Sequence, residues 1–324
     1  MNCKSTRLSI CIPTYNRSKK LELFLSELAR AMGGLSESIE VLISDNCSTD
    51  TTMEVANAFV QKVPEARLIC QPINLGAEGN FWELWKHASG EYVWMVGDDD
   101  LLEQDAIGHV LLSLSLKPDL LILNYSRWDS RLERCELANV YGSQDQVYSD
   151  INSIIRRFGP DLAYISICVV RRDALRCVTE SAYKRLAHTG FAFMYGIYQA
   201  SKGAEKIAFI GRSLVRNRNA DTVPYNWDKY FISGMAEVFR SLKNEGFDSH
   251  SINVARSSVV RRYVVPTFKR RRLLGSLRIS QVGMVVQYYP DILKTWLLVV
   301  PLLAVPPALL RMIDRSRASG SKAK

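Results

Sequence analysis

The sequence predicts an α/β fold, a mixed but mainly parallel sheet flanked by helices, followed by a helical, basic C-terminal extension. Two observations carry this. Short runs rich in β-branched residues alternate with segments of 3.6-residue apolar period over the first hundred residues, the pattern of parallel strands joined by crossover helices. The chain is also long enough for a sizeable core, with 324 residues and 47% hydrophobic content. It shows no fixed-period repeat, so solenoids and propellers are excluded.

Leu8–Ile12 is the first strand, followed by the turn-like Pro13-Thr14-Tyr15-Asn16. Ser18 is the expected cap of a helix with its stripe at Leu21, Phe24, Leu25, Leu28 and Met32, ended by Gly33-Gly34. Ile39–Ser44 is the second strand, and Ser48 or Thr49 opens the next helix. Arg67–Gln71 and Tyr92–Val96 are the third and fourth strands, separated by a helical stripe at Phe81, Leu84, Trp85 and Ala88. Further on, Asp119–Tyr125, Ser166–Arg171, Lys206–Ile210 and Leu214–Arg218 read as extended, Ala187–Ala200 as one helix, and 229–245 as an amphipathic helix. No Ser/Gly/Pro-rich linker interrupts the chain. The expected organisation is a catalytic domain over 1–220, with halves 1–105 and 106–220, and a C-terminal region over 221–324.

Charge is unevenly divided. Residues 1–150 hold 13 Lys+Arg against 22 Asp+Glu, whereas 151–324 hold 29 against 11. The basic half points to an anionic partner or surface. Arg261, Arg262, Lys269, Arg270, Arg271, Arg272 and Arg278 cluster ahead of an uncharged run, Trp296–Leu310. As a helix that run reaches only about 22 Å, short of the ~30 Å hydrocarbon core, and Pro301, Pro306 and Pro307 interrupt it. An interfacial segment on an anionic membrane surface is expected, with burial of the run as the alternative. Seven scattered cysteines without a C-x-x-C pair read as reduced thiols, and the polar N-terminus does not read as a secretory signal. A cytoplasmic location, peripheral on the inner face of the cell membrane, is expected.

In parallel sheets ligands bind beyond the carboxyl ends of the strands, and four motifs fall there. After the first strand, Pro13, Thr14, Tyr15 and Arg17 offer an aromatic face for a nucleobase beside small polar groups. After the second, Asp45 and Asn46 lead the run SDNCSTD, where Asp45 can accept from a base N–H. Asn74-Leu75-Gly76 and Asn80 stand ready to close over a nucleotide. Last comes Gly97-Asp98-Asp99-Asp100. Three adjacent carboxylates repel one another and need a cation or donors. A hard divalent ion, held by one or two carboxylates plus substrate phosphates, suits them. Taken alone, the acidic run would equally cap a helix beginning near Leu101.

SICIPTYNR, VLISDNCSTDTT, NLGAEGN and ASGEYVWMVGDDD together resemble the successive signatures of family 2 glycosyltransferases, which have a GT-A fold. The resemblance covers about the first 105 residues. It implies transfer of a sugar from a nucleoside-diphosphate sugar, with inversion at the anomeric carbon and Mg²⁺ or Mn²⁺ as cofactor. Pro13 and Tyr15 would then line the base pocket and Asp45 bind the base. Asp98 would approach the ribose or sugar, and Asp99 would bind the metal with help from Asp100. Gly97 stands where the family's D-x-D has its first Asp.

Farther along, the family opens a helix with an acidic pair that supplies the catalytic base, and here His188-Thr189 stands in that place. An imidazole with an unperturbed pKa of about 6.5 can take the acceptor proton at neutral pH, which makes His188 the candidate base. Asp161, Asp173 and Asp221 are rivals. Arg216 and Arg218 are candidates to offset diphosphate charge. The wording SDNCSTD and GDDD, with the missing acidic pair, is similar to O-antigen deoxysugar transferases of the abequosyltransferase type. That implies a glycan acceptor on a polyprenyl diphosphate. A nucleotidyltransferase is the alternative enzyme class, although PTYNR has no phosphate-cradling glycine. An anionic-membrane or nucleic-acid binding protein is the non-enzymatic one, and the acidic first half argues against a nucleic-acid partner. An oligomer is compatible with all of these.

Overall fold

The computed structural model describes residues 6–33, 35, 38–219 and 226–312. The chain divides into two compact units. The first comprises Met1–Ser153 with Asp161–Val223, and the second Ile154–Pro160 with Pro224–Lys324.

The first unit is built on a mixed sheet with the spatial order β3-β2-β1-β4-β9-β6-β10-β5. In chain order the strands are β1 (Leu8–Thr14), β2 (Ile39–Asp45), β3 (Ala66–Cys70), β4 (Tyr92–Met95), β5 (Leu101–Leu102), β6 (Leu120–Trp128), β7 (Cys135–Leu137), β8 (Gln146–Tyr148), β9 (Cys168–Arg171) and β10 (Ile207–Arg218). The helices are α1 (Ser18–Met32), α2 (Thr52–Val60), α3 (Gly76–His87), α4 (Ala106–Leu114), α5 (Ile151–Arg157, which runs across the unit boundary), α6 (Glu180–Ala187) and α7 (Ala192–Ala200). β2 is buried along its whole length, as expected of a strand covered on both faces, with Glu40 held by Ser9 and Arg67. The α1 stripe Leu21, Phe24, Leu25, Leu28 and Met32 is buried as its period demands.

β1 pairs in parallel with β2 on one side and with β4 on the other, and β2 with β3. The chain therefore winds outward from β1 through β2 and β3, then returns to the other side at β4. That reversal leaves a crevice at the carboxyl ends of β1 and β4. β9 runs antiparallel between β4 and β6, and β10 pairs in parallel with β6.

Several local expectations change. The helix expected over 187–200 starts later, at Ala192: Ala187 ends α6, and the chain turns at Gly190, whose φ of +74° lies in the left-handed region open to glycine. The extended runs 206–210 and 214–218 are one strand, β10, carrying a register shift between Ile210 and Val215. Leu101 begins no helix: Leu101 and Leu102 pair antiparallel with β10, and the helix starts at Ala106. The expected caps also shift, with Arg17 preceding α1 and Thr51 preceding α2. The second half of the proposed Gly33-Gly34 stop lies outside the described residues.

The second unit is helical, with α8 (Met235–Asn244), α9 (Ser249–Val259), α10 (Val265–Leu273) and α11 (Ile279–Tyr288). Lys229–Gly234 precedes α8 as a wider π turn, so the expected 229–245 helix holds in two geometries. Val238, Phe239, Leu242, Ile252, Val259, Phe268, Val285 and Tyr289 are buried in this unit. Arg271 pairs with Asp228 and lies over the rings of Trp227 and Phe268, while Arg272 donates to the Val305 carbonyl. Part of the basic cluster is thus spent inside the unit. Among the described residues no helix is long and apolar enough to cross a membrane.

Candidate active site

Three loops meet at the crevice, and short polar side chains lock them together. Asn16 takes a left-handed φ of 50°, which turns its backbone N–H to Ser48 Oγ (2.8 Å) and lets its Oδ1 accept from the Thr49 N–H (2.7 Å). The N–H of Arg17 donates to Thr52 Oγ1 (2.9 Å). Asn46 ties the second loop to the third: its Oδ1 accepts from the Leu75 N–H (2.8 Å), and its Nδ2 donates to Asn74 Oδ1 (2.9 Å) and the Gly76 carbonyl (3.2 Å). Asn80 is buried and fastens α3 to β2 through the oxygens of Ser44.

These loops, with the segments around Tyr164, Gly190 and Arg218, wall a cavity of about 630 Å³. Such a volume suits a ligand of nucleotide-sugar size. The cavity's polar wall is the acidic run. Asp98 is 3% exposed, and its two oxygens accept from Thr14 Oγ1 (2.7 Å) and the Arg17 guanidinium (2.8 Å). The same Arg17 nitrogen donates to Asp99 Oδ2 (2.8 Å), which Lys20 also approaches at 3.4 Å. Burial opposes the charge on Arg17, but Asp98 and Asp99 outweigh it and hold the guanidinium above its ordinary pKa. Burial raises the Asp98 carboxyl despite the same guanidinium. Asp100 is pinned by Ser166 Oγ (2.6 Å) and Asn217 Nδ2 (3.3 Å), and burial together with the Asp99 charge pushes it up to about 7.

Metal binding can be tested against this geometry. Among the described residues no group of three or more His, Cys, Asp or Glu side chains gathers to hold an ion. Asp98 and Asp99 nevertheless carry a cationic guanidinium between them, and the Asp99 side chain is 32% exposed at the cavity wall. Two carboxylates completed by phosphate oxygens fit Mg²⁺ or Mn²⁺. The Asp98–Asp99 pair would hold it in exchange for Arg17.

The other residues singled out from the sequence fall as follows. Pro13, Thr14, Tyr15, Arg17, Asn46, Gly76, Asn80 and Arg218 line the cavity. Arg218 donates from Nε to the Asp99 carbonyl (3.0 Å) and from Nη1 to the Ser130 carbonyl (3.1 Å). Asp45 is buried at the end of β2 beside the lining residue Asn46; its Oδ2 accepts from the Ser48 N–H, and its Oδ1 has no hydrogen-bond partner among the described residues. His188 is exposed at the end of α6, its Nδ1 against the Arg185 carbonyl, while the neighbouring Gly190 reaches the cavity wall. Asp161 bonds the Tyr141 hydroxyl, Asp173 pairs with Arg176 on the surface, and Asp221 lies outside the described residues. Arg216 makes a two-pronged pair with Glu103 (2.8 and 2.6 Å) over the Trp128 ring. Glu78, Tyr164 and Asn217 line the cavity without having been expected there. Glu78 sits inside NLGAEGN, so its motif marked the place although its role did not show.

The model of glycosyl transferase family 2 matches residues 9–179, more than half of the chain. The chain belongs to glycosyl transferase family 2. Among curated members, abequosyltransferase RfbV of Salmonella typhimurium is 28% identical over 179 residues, covering 51% of this chain and 53% of RfbV. Glycosyltransferase GlyG of Streptococcus pneumoniae is 27% identical over 39% of this chain and 41% of its own. The family 2 match thus spans about half the length of these relatives or less. In solved structures, TarS 1–349 of S. aureus in complex with UDP superposes with a TM-score of 0.65 at 15% identity, over 97% of this chain and 92% of that one. A mannosyltransferase of Pyrobaculum calidifontis in complex with GDP-Man and Mn²⁺ gives 0.54 at 14% identity, over 98% and 83%. These likenesses establish the GT-A fold for this family 2 member.

Proposed function

We propose that this chain is an inverting, metal-dependent glycosyltransferase. It would move a sugar from a nucleoside-diphosphate sugar to a hydroxyl of a glycan acceptor carried on a polyprenyl diphosphate, in O-antigen or other surface polysaccharide synthesis. The observation that carries this reading is the cavity beyond β1, β2 and β4, where the Asp98–Asp99 pair and Arg218 share one wall. That wall combines affinity for a cation with affinity for a diphosphate.

Tyr15, with Pro13 and Asn46, is assigned to the nucleobase, and the unpartnered Asp45 Oδ1 to its N–H edge. Asp98 is assigned to the ribose or sugar. Mg²⁺ or Mn²⁺, when bound, neutralises diphosphate charge as the leaving group departs. Arg218 is assigned to the same charge, through the paired geometry of a guanidinium. Inversion requires a single displacement, so the acceptor oxygen attacks opposite the departing diphosphate and gives up its proton to a base. The abequosyltransferase likeness supports the acceptor class. In the second unit, exposed Leu293, Trp296, Leu297 and Leu298 support contact with an anionic membrane surface at the inner face of the cell membrane.

The test is binding and hydrolysis across a panel of nucleoside-diphosphate sugars, first with Mn²⁺ or Mg²⁺ and then with EDTA. Selection of one donor, lost on chelation, is the expected result. Folded protein that binds no donor would overturn the reading.

A further inference from the structure

Among the described residues four carboxyl groups line the cavity: Glu78, Asp98, Asp99 and Asp100. Three of them form the acidic run, the wall assigned to the metal and diphosphate. Asp98 and Asp99 share Arg17, and Asp100 is held by Ser166 and Asn217. His188 is not among the lining residues. Glu78 lies on a different wall, where α3 meets α6 and α7. It is 5% exposed, and its Oε2 accepts from the Tyr183 hydroxyl (2.7 Å) and from the backbone N–H of Phe193 (2.8 Å) at the start of α7. Among the described residues no Lys, Arg or His pairs with it, so its carboxyl is buried in the cavity wall with no counter-charge from them.

From this geometry we infer that Glu78 is the general base that takes the acceptor proton, resting on the glycosyl-transfer reading above. As the acceptor oxygen bonds to the anomeric carbon, its proton passes to the Glu78 carboxylate. The bond from the anomeric carbon to the diphosphate oxygen breaks, and its electron pair leaves with the nucleoside diphosphate. The Glu78 carboxyl then returns its proton to solvent. Tyr183 and the N-terminus of α7 hold the carboxylate in place. These are the groups that face it: the Tyr183 hydroxyl from α6, and the N–H groups of Ala192 and Phe193 from α7. Burial pushes the Glu78 carboxyl up to about 7, and those three donors moderate the rise. A base poised near the working pH transfers protons with the best compromise of ionised fraction and strength. Tyr183 itself is driven well above its ordinary pKa by burial and by Glu78, so it stays a donor.

The experiment uses the full chain, with UDP-GlcNAc, GDP-mannose and further nucleoside-diphosphate sugars as probes, water as acceptor, and release of nucleoside diphosphate as the readout. For wild type, turnover of the selected donor rises with pH through about 7. Glu78→Gln is expected to keep donor affinity within about twofold, to lose roughly 10²–10⁴ of turnover and to lose that pH limb. Tyr183→Phe removes a donor to the carboxylate, so it should move the limb to higher pH while retaining the plateau. A merely structural role would not move the limb. A Glu78→Gln variant that turns over donor at the wild-type rate with the wild-type profile overturns the assignment alone, as does an unmoved limb in Tyr183→Phe. Wild type that binds no donor overturns the glycosyl-transfer reading, and this inference with it.

Discussion

Gly196 sits in the middle of α7 directly beneath Trp85, and replacing it with alanine probes the packing that holds the cavity wall. A Cβ at this position would lie 2.5 Å from Trp85 Cη2 and 2.7 Å from its Cζ3. Carbon atoms rest at about 3.5–4.0 Å, so the ring must retreat by about 1 Å. It has little room, being 7% exposed and packed against Tyr183 (5.4 Å between centroids) and Phe193 (5.2 Å). Overpacking costs about 1–3 kcal/mol, and a ring with so little room to retreat belongs in the upper half of that range, about 2–3 kcal/mol; the helix preference of Ala over Gly returns about 1 kcal/mol. Gly196→Ala should therefore destabilise the first unit by about 1–2 kcal/mol. Thermal unfolding followed by circular dichroism should fall by about 2–8 °C, and Trp85→Leu in the same chain should recover part of that loss by vacating the space. A Gly196→Ala variant as stable as wild type would refute this packing of α7 on Trp85, and with it the fixed placement of the α7 N-terminus against Glu78.

Three further outcomes follow from the site. Arg17→Gln removes the guanidinium that neutralises Asp98 and Asp99, so Mn²⁺ binding without donor, read by electron paramagnetic resonance, should tighten severalfold; unchanged affinity would mean that Arg17 and the ion do not compete. Glu78 has a folded pKa of about 7, above its unfolded value near 4.5, so the folded state holds the extra proton between these values. Stability should be greatest below about pH 4.5 on this account and fall as pH rises to about 7, by at most about 3 kcal/mol. Urea titrations from pH 4.5 to 8 should show wild type losing stability relative to Glu78→Gln, and parallel curves would contradict the buried carboxyl. Arg216→Ala and Arg218→Ala should separate: the first breaks the Glu103 pair and lowers stability by about 1 kcal/mol with donor affinity intact, the second weakens donor binding. Equal effects on donor affinity would count against the division of roles.

The first four strands were readable because each is a short run dominated by apolar residues and bounded by polar turns, and β1, β2 and β4 are buried along nearly their whole length. The loops after them were readable for a related reason: Thr14, Asn46 and Asp98 lie at or within three residues of the carboxyl ends of β1, β2 and β4, so knowing the strand locates the side chain. What escaped was whatever tertiary closure supplies. Nothing local distinguishes Glu78 from Glu83 of the same helix, since its burial depends on Tyr183 and Phe193, more than a hundred residues away. Asn217 reaches Asp100 only because β10 crosses beside β5. The helix expected over 187–200 is present from Ala192 onward, its start delayed by the left-handed turn at Gly190 that separates it from α6. His188 drew notice for its place in that expected helix, and it stands exposed at the end of α6, ahead of the turn.

The most direct measurement is calorimetric titration of UDP-GlcNAc, GDP-mannose and other nucleoside-diphosphate sugars, with Mn²⁺ present, into wild type and Asp99→Ala. Saturable binding of one donor by wild type, lost or weakened at least tenfold in a folded Asp99→Ala variant, is the expected result. Equal binding by both proteins would contradict a donor site centred on the Asp98–Asp99 wall.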